Sequence, residues 1–260
     1  MISIYKVTSI TKKIQDDTQK THANHVWQGV IDVASTPTDV ILKQEVPPRL
    51  VKELLAVDLA TQLGVPHITG WAASVDQATM QAHSITSTVV DPSDPARRLL
   101  FASKLSTGTP LGGGGQINQA AKNRYLGHPD SLTIMAFDEL VGNVDRTNEN
   151  VMEDAPQFLA FDHDKILFGD TVVWSQLPSL ITQHCMLCLM SQDVAMGAPH
   201  TKARALALAV SWAGRLTAPL TILQDLVMAN LLTSADAQLI ETFLIDRLPH
   251  LPTLVEKHYP

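Results

Sequence analysis

The sequence predicts an α+β protein with two lobes, a small β-rich N-terminal lobe with one helix and a larger, mainly helical C-terminal lobe. Short runs rich in Val, Ile and Thr, bounded by turn residues, dominate the first part of the chain and are typical of β-strands. Later apolar residues recur with helical spacing. Strands and helices that occupy separate parts of a chain favour an α+β fold. We place the lobes at 1–103 and 104–260.

The N-terminal lobe contains five β-like runs and one helical pattern. The runs are ISIYKVTSI, HVWQGVIDVA, TDVILKQ, HITGWAA and MQAHSITSTVV. The helix lies between Pro48 and Pro66, because proline suits a first helical turn and Gly64 suits the position after the last turn. A strand-like run, LLFASKL at 99–105, then leads to the lobe boundary.

A run of four glycines, Gly112–Gly115, follows that boundary. A P-loop requires Lys and Ser or Thr directly after its glycines, at the start of a helix. Gln116 and Ile117 stand there instead. We therefore predict a flexible connector or lid.

The C-terminal lobe begins with a helix predicted over Ser131 to Gly142, with Asp130 as its cap. A polar loop and two short β-like runs follow, and the second run ends on Asp162. Another helix is predicted over SADAQLIETFLIDRL, capped by Thr233 or Ser234.

Composition limits the classes of partner. Apolar residues make up 45% of the 260 residues, which is sufficient for a sizeable core. A net charge of −7 argues against a surface for nucleic acid or anionic membrane. The N-terminus has no long apolar signal segment, and Arg215, Pro219 and Asp225 interrupt the most apolar late stretch. We expect a cytoplasmic protein with no direct nucleic-acid or membrane partner.

The two cysteines, Cys185 and Cys188, form a C-x-x-C pattern beside His184. These three residues could bind zinc, although no fourth ligand is spaced nearby. The apolar neighbours favour the other interpretation, a pair of reduced thiols in a buried helix.

The polar loop NVDRTNEN, residues 143–150, follows an apolar helix directly. One interpretation is an Asx-rich turn. The other is a phosphoryl-transfer site in which Asn150 and Asp162 bind Mg²⁺, since Mg²⁺ prefers hard oxygen ligands. In that site Asp145 accepts the proton of a hydroxyl, and Arg146 fixes the loop by pairing with a carboxylate. The order helix, loop, strand, turn, strand allows a hairpin to bring these residues together.

The stretch FDELVGNVDRTNEN, followed by FLAFDHD, resembles the catalytic core of HipA-like kinases. That core has the form F-D-x-L-[IV]-x-N-x-D-R-x-x-x-N and then a strand ending I-D-H. A shorter D-R-x-x-x-N version marks the phosphatidylinositol kinases, which share the protein-kinase-like fold. The match to the family motif is close over about 30 residues. In the rest of the chain only the order of the elements and the pattern of residues are similar. It implies a two-lobed protein-kinase-like fold with ATP and Mg²⁺ as cofactors.

The resemblance also gives roles to residues of the N-terminal lobe. A kinase uses a strand lysine for the α- and β-phosphates and a helix glutamate to hold that lysine. Lys43 ends a β-like run, and Glu53 lies in a segment similar to the family pattern E-x-x-A-x-x-L-x-x-x-L-G-[LV]-P. Considered alone, Lys43 would be a solvated residue at the end of a strand, and Glu53 would be a charged residue on the surface of a helix. The segment 99–105 would be the hinge whose backbone contacts adenine.

The sequence departs from the family at several positions. Thr147 stands where many relatives have His, and Asp164 where Gly is common. If the strand continues, Asp162 and Asp164 face the same side, and Asp164 could then be a second metal ligand. The alternative is that Asp164 is an exposed turn residue. We expect His163 to be structural. No glycine-rich phosphate loop is present, so 16–25 or 34–39 would have to contact the phosphates.

The resemblance implies an ATP- and Mg²⁺-dependent phosphotransferase, either a Ser/Thr protein kinase or a self-phosphorylating enzyme. No sequence motif identifies the phosphate acceptor, which is a protein or a small molecule. The alternatives are a small-molecule or lipid kinase, a catalytically inactive nucleotide-binding partner protein, and a chance match. The acidic charge disfavours a lipid substrate. An inactive protein would not need all of the expected site residues, so their joint presence disfavours it. These residues are Lys43, Glu53, Asp145, Asn150 and Asp162.

Overall fold

Strands of the N-terminal part close into a five-stranded barrel in a computed structural model that describes residues 2–14, 25–185 and 199–259. The strands are β1 (Ile4–Ile14), β2 (Val26–Val33), β3 (Thr36–Lys43), β4 (Gly70–Val75), β5 (Val90–Asp91) and β6 (Asp94–Lys104). Their order is β3-β2-β1-β4-β6-β5, and β3 also pairs with β6. This last pairing closes β1, β2, β3, β6 and β4 into a ring, while β5 extends β6. The pairing of β1 with β4 is parallel and the others are antiparallel.

Helix α1 (Pro47–Leu63) follows β3 and is buried along most of its length. Proline occupies its first positions, and Gly64 ends it in the left-handed conformation, with φ of 72°. Both features agree with the sequence prediction. Apolar residues such as Leu50, Leu55 and Leu59 are fully buried in the main core. This burial fixes the helix against both the barrel and the C-terminal part.

The segment MQAHSITSTVV was predicted as a strand, and this prediction is wrong for most of its length. Helix α2 (Gln77–His83) occupies its beginning, so the N-terminal part contains two helices instead of the one expected. The Asp76 side chain accepts a hydrogen bond from Thr79 N at 2.8 Å and caps this helix. Only the last residue of the predicted run belongs to a strand, β5. The capped helix takes up Met80 to His83, the part of the run that contains no Ile, Thr or Val.

The C-terminal part is mainly helical, as the sequence predicts. Its helices are α3 (Gln119–Gly127), α4 (Pro129–Val141), α5 (Pro199–Trp212), α6 (Thr221–Met228), α7 (Ser234–Arg247) and α8 (Leu251–Glu256). Helix α4 is the central element, and it packs against α5, α7 and α8. Thr233 caps α7 by accepting a hydrogen bond from Asp236 N. Within the described ranges, no helix is long and apolar enough to cross a membrane.

The cap of α4 differs from the prediction. The helix begins at Pro129, and its cap is His128, whose Nδ1 accepts a hydrogen bond from Asp130 N at 3.3 Å. The Asp130 carboxylate instead accepts a hydrogen bond from Phe158 N at 2.9 Å. Asp130 therefore joins α4 to a later strand, while Gly142 ends the helix with φ of 65°.

Short strands surround the loop that follows α4. They are β7 (Thr109–Pro110), β10 (Val151–Asp154) and β11 (Gln157–Ala160) in one sheet, and β8 (Gly112–Gly113) and β9 (Gln116–Ile117) in a hairpin. The glycine run, predicted as a connector or lid, forms this hairpin, with Gly114 and Gly115 at positive φ in its turn. A Cβ at Gly112 would lie 3.0 Å from Asn148 Cβ, so the hairpin packs closely on the loop.

Candidate active site

A buried ion pair organises the loop after α4. Arg146 NH2 lies 2.9 Å from Asp138 Oδ1, and both side chains are 1% exposed. The same carboxylate accepts a hydrogen bond from Asn143 Nδ2 at 2.8 Å, and Asn143 Oδ1 accepts one from Asp145 N at 3.1 Å. Asp138 thus sets the conformation of the loop through two partners. The sequence predicts that Arg146 pairs with a carboxylate but does not identify Asp138 as the partner.

Arg146 also ties the loop to the strands that follow it. Its NH1 donates to Asn150 O at 2.9 Å and to Phe161 O at 2.8 Å. Its NH2 lies 3.1 Å from His163 Nδ1. His163 is 1% exposed, and its burial, aided by the Arg146 charge, lowers the pKa of the imidazole well below its ordinary value. His163 is therefore a neutral, packed residue, in agreement with the structural role expected for it.

The β10–β11 hairpin brings Asn150 and Asp162 to the same end of one sheet. Val151 pairs with Ala160, and Phe161 N donates to Asn150 O at 3.1 Å. Asp162 follows directly, with φ of 57°. The Asn150 side chain donates through Nδ2 to Asp145 O at 2.7 Å. This contact leaves the amide Oδ1 of Asn150 as the side-chain atom that can act as a metal ligand.

Lys43, the last residue of β3, connects the barrel to Asp162, which follows the β10–β11 hairpin. Its Nζ lies 2.6 Å from Asp162 Oδ1, 2.8 Å from Glu45 Oε1 and 3.1 Å from Glu53 Oε1. Glu53 Oε2 accepts a hydrogen bond from His163 N at 3.0 Å. The contact expected between Lys43 and Glu53 is present. Glu45 was missed, because a carboxylate just outside a strand carries no local pattern.

The pKa values in this cluster reflect burial opposed by charge pairing. Burial alone would lower the pKa of Lys43, but Glu53, Asp162 and Glu45 raise it well above its ordinary value. Burial raises the pKa of Glu53 to about 7, although Lys43 opposes this change. Burial would also raise the pKa of Asp162, but Lys43 holds it below its ordinary value. Asp162 is therefore an anion at neutral pH.

Asp145 is exposed at the surface of the loop, beyond this cluster. Partial desolvation, together with the charges of Asp162 and Asp164, raises the pKa of its carboxyl group. An acceptor for a hydroxyl proton must be ionised, and a raised pKa makes the carboxylate a stronger base.

We expect the Asp145 carboxyl group of the metal-free protein to titrate above the ordinary value of 3.8. In Asp162→Asn the pKa of Asp145 should fall, because one neighbouring negative charge is removed. Carboxyl-detected NMR titration of both proteins measures the two values. A pKa of Asp145 that is identical in both proteins would show that the two carboxylates do not interact.

Asp162 and Asp164 do not lie on a continuing strand. Strand β11 ends at Ala160, and the left-handed conformation of Asp162 turns the chain. Asp164 is 6% exposed, and its Oδ2 lies 3.5 Å from Lys165 Nζ and 3.6 Å from Arg49 NH1. The alternative of an exposed turn residue is therefore wrong, and Asp164 belongs to a group of charges at the start of α1.

A cavity of about 220 Å³ opens between the barrel and the hairpin. Its polar lining includes Lys43, Glu53, Ser103 and Asp162. The apolar lining residues are Val26, Ile41, Val57, Ile68, Phe101 and Phe161. Such an apolar slot with a few polar groups at one end is typical of small-molecule sites.

A larger cleft, of about 800 Å³, lies beside the start of α1 and includes Glu45, Arg49, Lys52 and Trp174. It contains neither Lys43 nor the loop of Asp145. The smaller cavity is lined by Lys43, Glu53 and Asp162, three of the residues that the sequence analysis expects to be functional.

One candidate phosphate loop lies far from Lys43. Within the β2–β3 hairpin, Val33 pairs with Thr36 and Val26 pairs with Lys43. The turn at Ala34 and Ser35 is thus at the opposite end of the hairpin, and Thr36, the first residue of β3, is about 23 Å from Lys43 at a rise of roughly 3.3 Å per residue. This candidate is wrong. The other candidate, 16–25, falls outside the described residues except for His25, and it joins β1 to β2 at the Lys43 end.

The segment 99–105, expected to be a hinge, is largely barrel strand. Residues of β6 pair with β3 on one side and with β4 on the other. Leu105 N donates to Asp39 O at 2.9 Å. The backbone groups of this segment are therefore engaged in the barrel, and only residues after Leu105 are placed to act as a hinge.

Comparison with known proteins supports the fold. No protein-family model matches the sequence, and no curated protein matches it significantly. The crystal structure of a Helicobacter pylori proinflammatory kinase, CtkA, is similar with a TM-score of 0.57 and 11% sequence identity. The similarity covers 99% of each chain. The chain therefore has a kinase-like fold.

Proposed function

We propose that this protein is an ATP- and Mg²⁺-dependent phosphotransferase that resembles HipA-like kinases and acts on a hydroxyl acceptor. The observation that carries the proposal is the position of Lys43. Its ammonium group lies between Glu53 and Asp162, at the polar end of an apolar cavity. The kinase-like fold supports the same conclusion, because it puts a strand lysine, a helix glutamate and a later aspartate in the order that phosphoryl transfer requires.

The donor groups suit a magnesium ion. Asp162 uses Oδ1 for Lys43, which leaves its second carboxylate oxygen for a metal, and Asn150 offers its amide Oδ1. Both are hard oxygen ligands of the kind that Mg²⁺ prefers. Bound Mg²⁺ would neutralise the charge that develops on the phosphate oxygens. Asp164 is a weaker candidate for a second ligand, because Arg49 and Lys165 already lie beside it.

The cavity suits the base of the nucleotide. Its volume of about 220 Å³ is below the roughly 300–1,000 Å³ of sites that enclose a whole ligand. The base would pack among the apolar residues, and the phosphates would extend past Lys43 towards Asp145. Lys43 would then donate hydrogen bonds to phosphate oxygens, while Glu53 keeps its side chain in position.

Asp145 is suited to orient the acceptor and to accept its proton. Its carboxylate is exposed, whereas its backbone N–H and C=O are held by Asn143 and Asn150. An incoming hydroxyl can reach such a group without movement of the loop. The resemblance favours a Ser or Thr hydroxyl, on another protein or on this chain. A small-molecule kinase is the second candidate. A catalytically inactive nucleotide-binding protein is the third, and the exposed Asp145 argues against it.

The proposal is tested by incubating the purified protein with γ-³²P-labelled ATP and Mg²⁺. Label on the protein itself, with a mass increase of one or more phosphoryl groups, supports self-phosphorylation. Label on a generic basic protein supports a protein kinase, and label transferred from ATP to an added small hydroxyl compound, with ADP as the other product, supports a small-molecule kinase. Nucleotide binding without transfer to any acceptor would support the inactive protein.

ATP with Mg²⁺ is expected to raise the melting temperature, because a ligand that binds only the native state stabilises it. At a nucleotide concentration 100 times the Kd, the stabilisation is about 2.7 kcal/mol. In Asp162→Ala the shift should be smaller, since a metal carboxylate is lost. Differential scanning fluorimetry with ATP alone, Mg²⁺ alone and both together measures the effect. Absence of any shift at millimolar nucleotide would contradict both an active and an inactive kinase.

A further inference from the structure

Three side chains that are able to bind a metal lie close together at α4, and none of them lines the proposed nucleotide site. Glu139 Oε1 lies 2.8 Å from His184 Nδ1 and 3.0 Å from His258 Nε2. All three atoms lie within 4.8 Å of one another. Glu139 belongs to α4, His184 directly precedes Cys185, and His258 lies just after α8. Neither ATP binding nor the role of Asp145 requires any of them.

The geometry around the two imidazoles favours a ligand set over a simple hydrogen-bonded cluster. His184 Nδ1 is buried and lies 2.8 Å from Glu139 Oε1, but the ring nitrogen is not aligned with that oxygen as in a regular hydrogen bond. In a tetrahedral zinc site with bonds of about 2.1 Å, ligand atoms lie about 3.4 Å apart. The two separations from Glu139 Oε1 need to open by only about 0.5 Å to reach that geometry, and the third pair of atoms lies within 4.8 Å. A cation between the three atoms would accept the lone pair of His184 Nδ1, which is not aligned with the carboxylate oxygen.

The surroundings hold Glu139 in the orientation of a ligand. Its side chain is fully buried, its Oε2 lies 3.2 Å from Arg247 NH2, and its Oε1 accepts a hydrogen bond from Cys185 N at 2.9 Å. Such outer partners fix the orientation of metal ligands. The Arg247 guanidinium does not rely on Glu139 alone, since it also donates to backbone carbonyls. These are the carbonyl oxygens of Glu139, Leu180, Ile181 and Gln183.

We propose that Glu139, His184 and His258 form a binding site for one Zn²⁺ ion. Two imidazoles and one carboxylate suit zinc, whereas Mg²⁺ and Ca²⁺ prefer oxygen ligands alone. The His184 side chain is 16% exposed, so a water molecule can reach the fourth position. The ion would link the C-terminal segment to α4, the helix that leads into the loop of Asp145. The site thus differs from the proposed Mg²⁺ site in its ligands, its place and its metal.

The proposal is tested on the full untagged chain, purified without chelators and analysed by inductively coupled plasma mass spectrometry. We expect about one zinc per chain, and a visible absorption spectrum typical of tetrahedral Co²⁺ after replacement of zinc by cobalt. His184→Ala combined with His258→Ala should lose the metal. His83→Ala, in the short helix α2, is the matched control and should retain it.

Further variants keep the test decisive. If the double histidine variant does not fold, His184→Ala alone removes the partly exposed ligand and should raise the Kd for Zn²⁺ at least about 10-fold. Circular dichroism checks that this variant is folded. Two results would overturn the proposal. One is a wild-type protein that neither contains zinc nor binds Co²⁺ after chelator treatment. The other is metal retained in the histidine variants but lost in Cys185→Ser with Cys188→Ser, which would assign it to the thiols.

Discussion

Asp145→Asn is expected to lower the rate of phosphoryl transfer by about 10²–10⁴-fold, the range for loss of a general base. The asparagine keeps the size of the side chain and removes its negative charge. The loop conformation should persist, because the contacts at this position are made by the backbone: Asp145 N donates to Asn143 Oδ1, and Asp145 O accepts from Asn150 Nδ2. Nucleotide affinity should change little, since Lys43 and Asp162 remain in place.

Single-turnover transfer from labelled ATP measures the rate, and isothermal titration calorimetry with a non-hydrolysable ATP analogue measures affinity. Asp32→Asn is the matched control, because it makes the same charge change at an exposed position near the β2–β3 turn. That variant should transfer at the wild-type rate. A wild-type rate in Asp145→Asn would mean that Asp145 is only a turn residue and that the NVDRTNEN loop has a structural role.

Arg146→Ala is expected to reduce the free energy of unfolding by about 3–5 kcal/mol, the usual cost of leaving a buried charge without its partner. The Asp138 carboxylate would stay buried with only Asn143 as a polar neighbour among the contacts described above. The carbonyls of Asn150 and Phe161 would lose a donor as well. Since these carbonyls flank Asp162, activity should fall together with stability.

Urea unfolding followed by tryptophan fluorescence measures this loss, and the melting temperature should drop by about 6–20 °C. Arg124→Ala is the control, because Arg124 makes a bidentate but exposed pair with Glu153, and such pairs contribute little to stability. Arg146→Met combined with Asp138→Leu should recover part of the stability, since neither charge is then buried. Equal effects of Arg146→Ala and Arg124→Ala would contradict the proposed role of the buried pair.

Local patterns were sufficient to predict α1 and most of α4, because proline and glycine mark helix ends through their own backbone preferences. The resemblance to HipA-like kinases likewise led us to expect a contact between Lys43 and Glu53, and that contact is present. Their roles in catalysis stay a prediction. The strand prediction for 80–90 failed at its start because residues 80–83 belong to α2, a helix capped by Asp76 outside the predicted run.

Non-local contacts could not be predicted in this way. Nothing in the β-like runs indicates that β1 pairs with β4 or that β3 pairs with β6, because those partners are far apart in sequence. Asp138 and Glu45 were also missed as partners of Arg146 and Lys43. Asp138 lies in the F-D-x-L motif and Glu45 lies just after a strand, and at either position a carboxylate could equally be exposed to solvent. Only the structure shows that both side chains are buried.

Closure of the barrel has a consequence for the order in which the chain folds during synthesis. Strand β1 finds its parallel partner only when residues 70–75 have emerged from the ribosome, and β3 finds its second partner only when residues 101–104 have emerged. Until then the β1–β2–β3 meander has two open edges. At a synthesis rate of about 5–20 residues per second, those edges stay unpaired for seconds. Lys43 can therefore pair with Phe101 of β6 only late in synthesis. It can contact Asp162 only later, when residue 162 has also emerged.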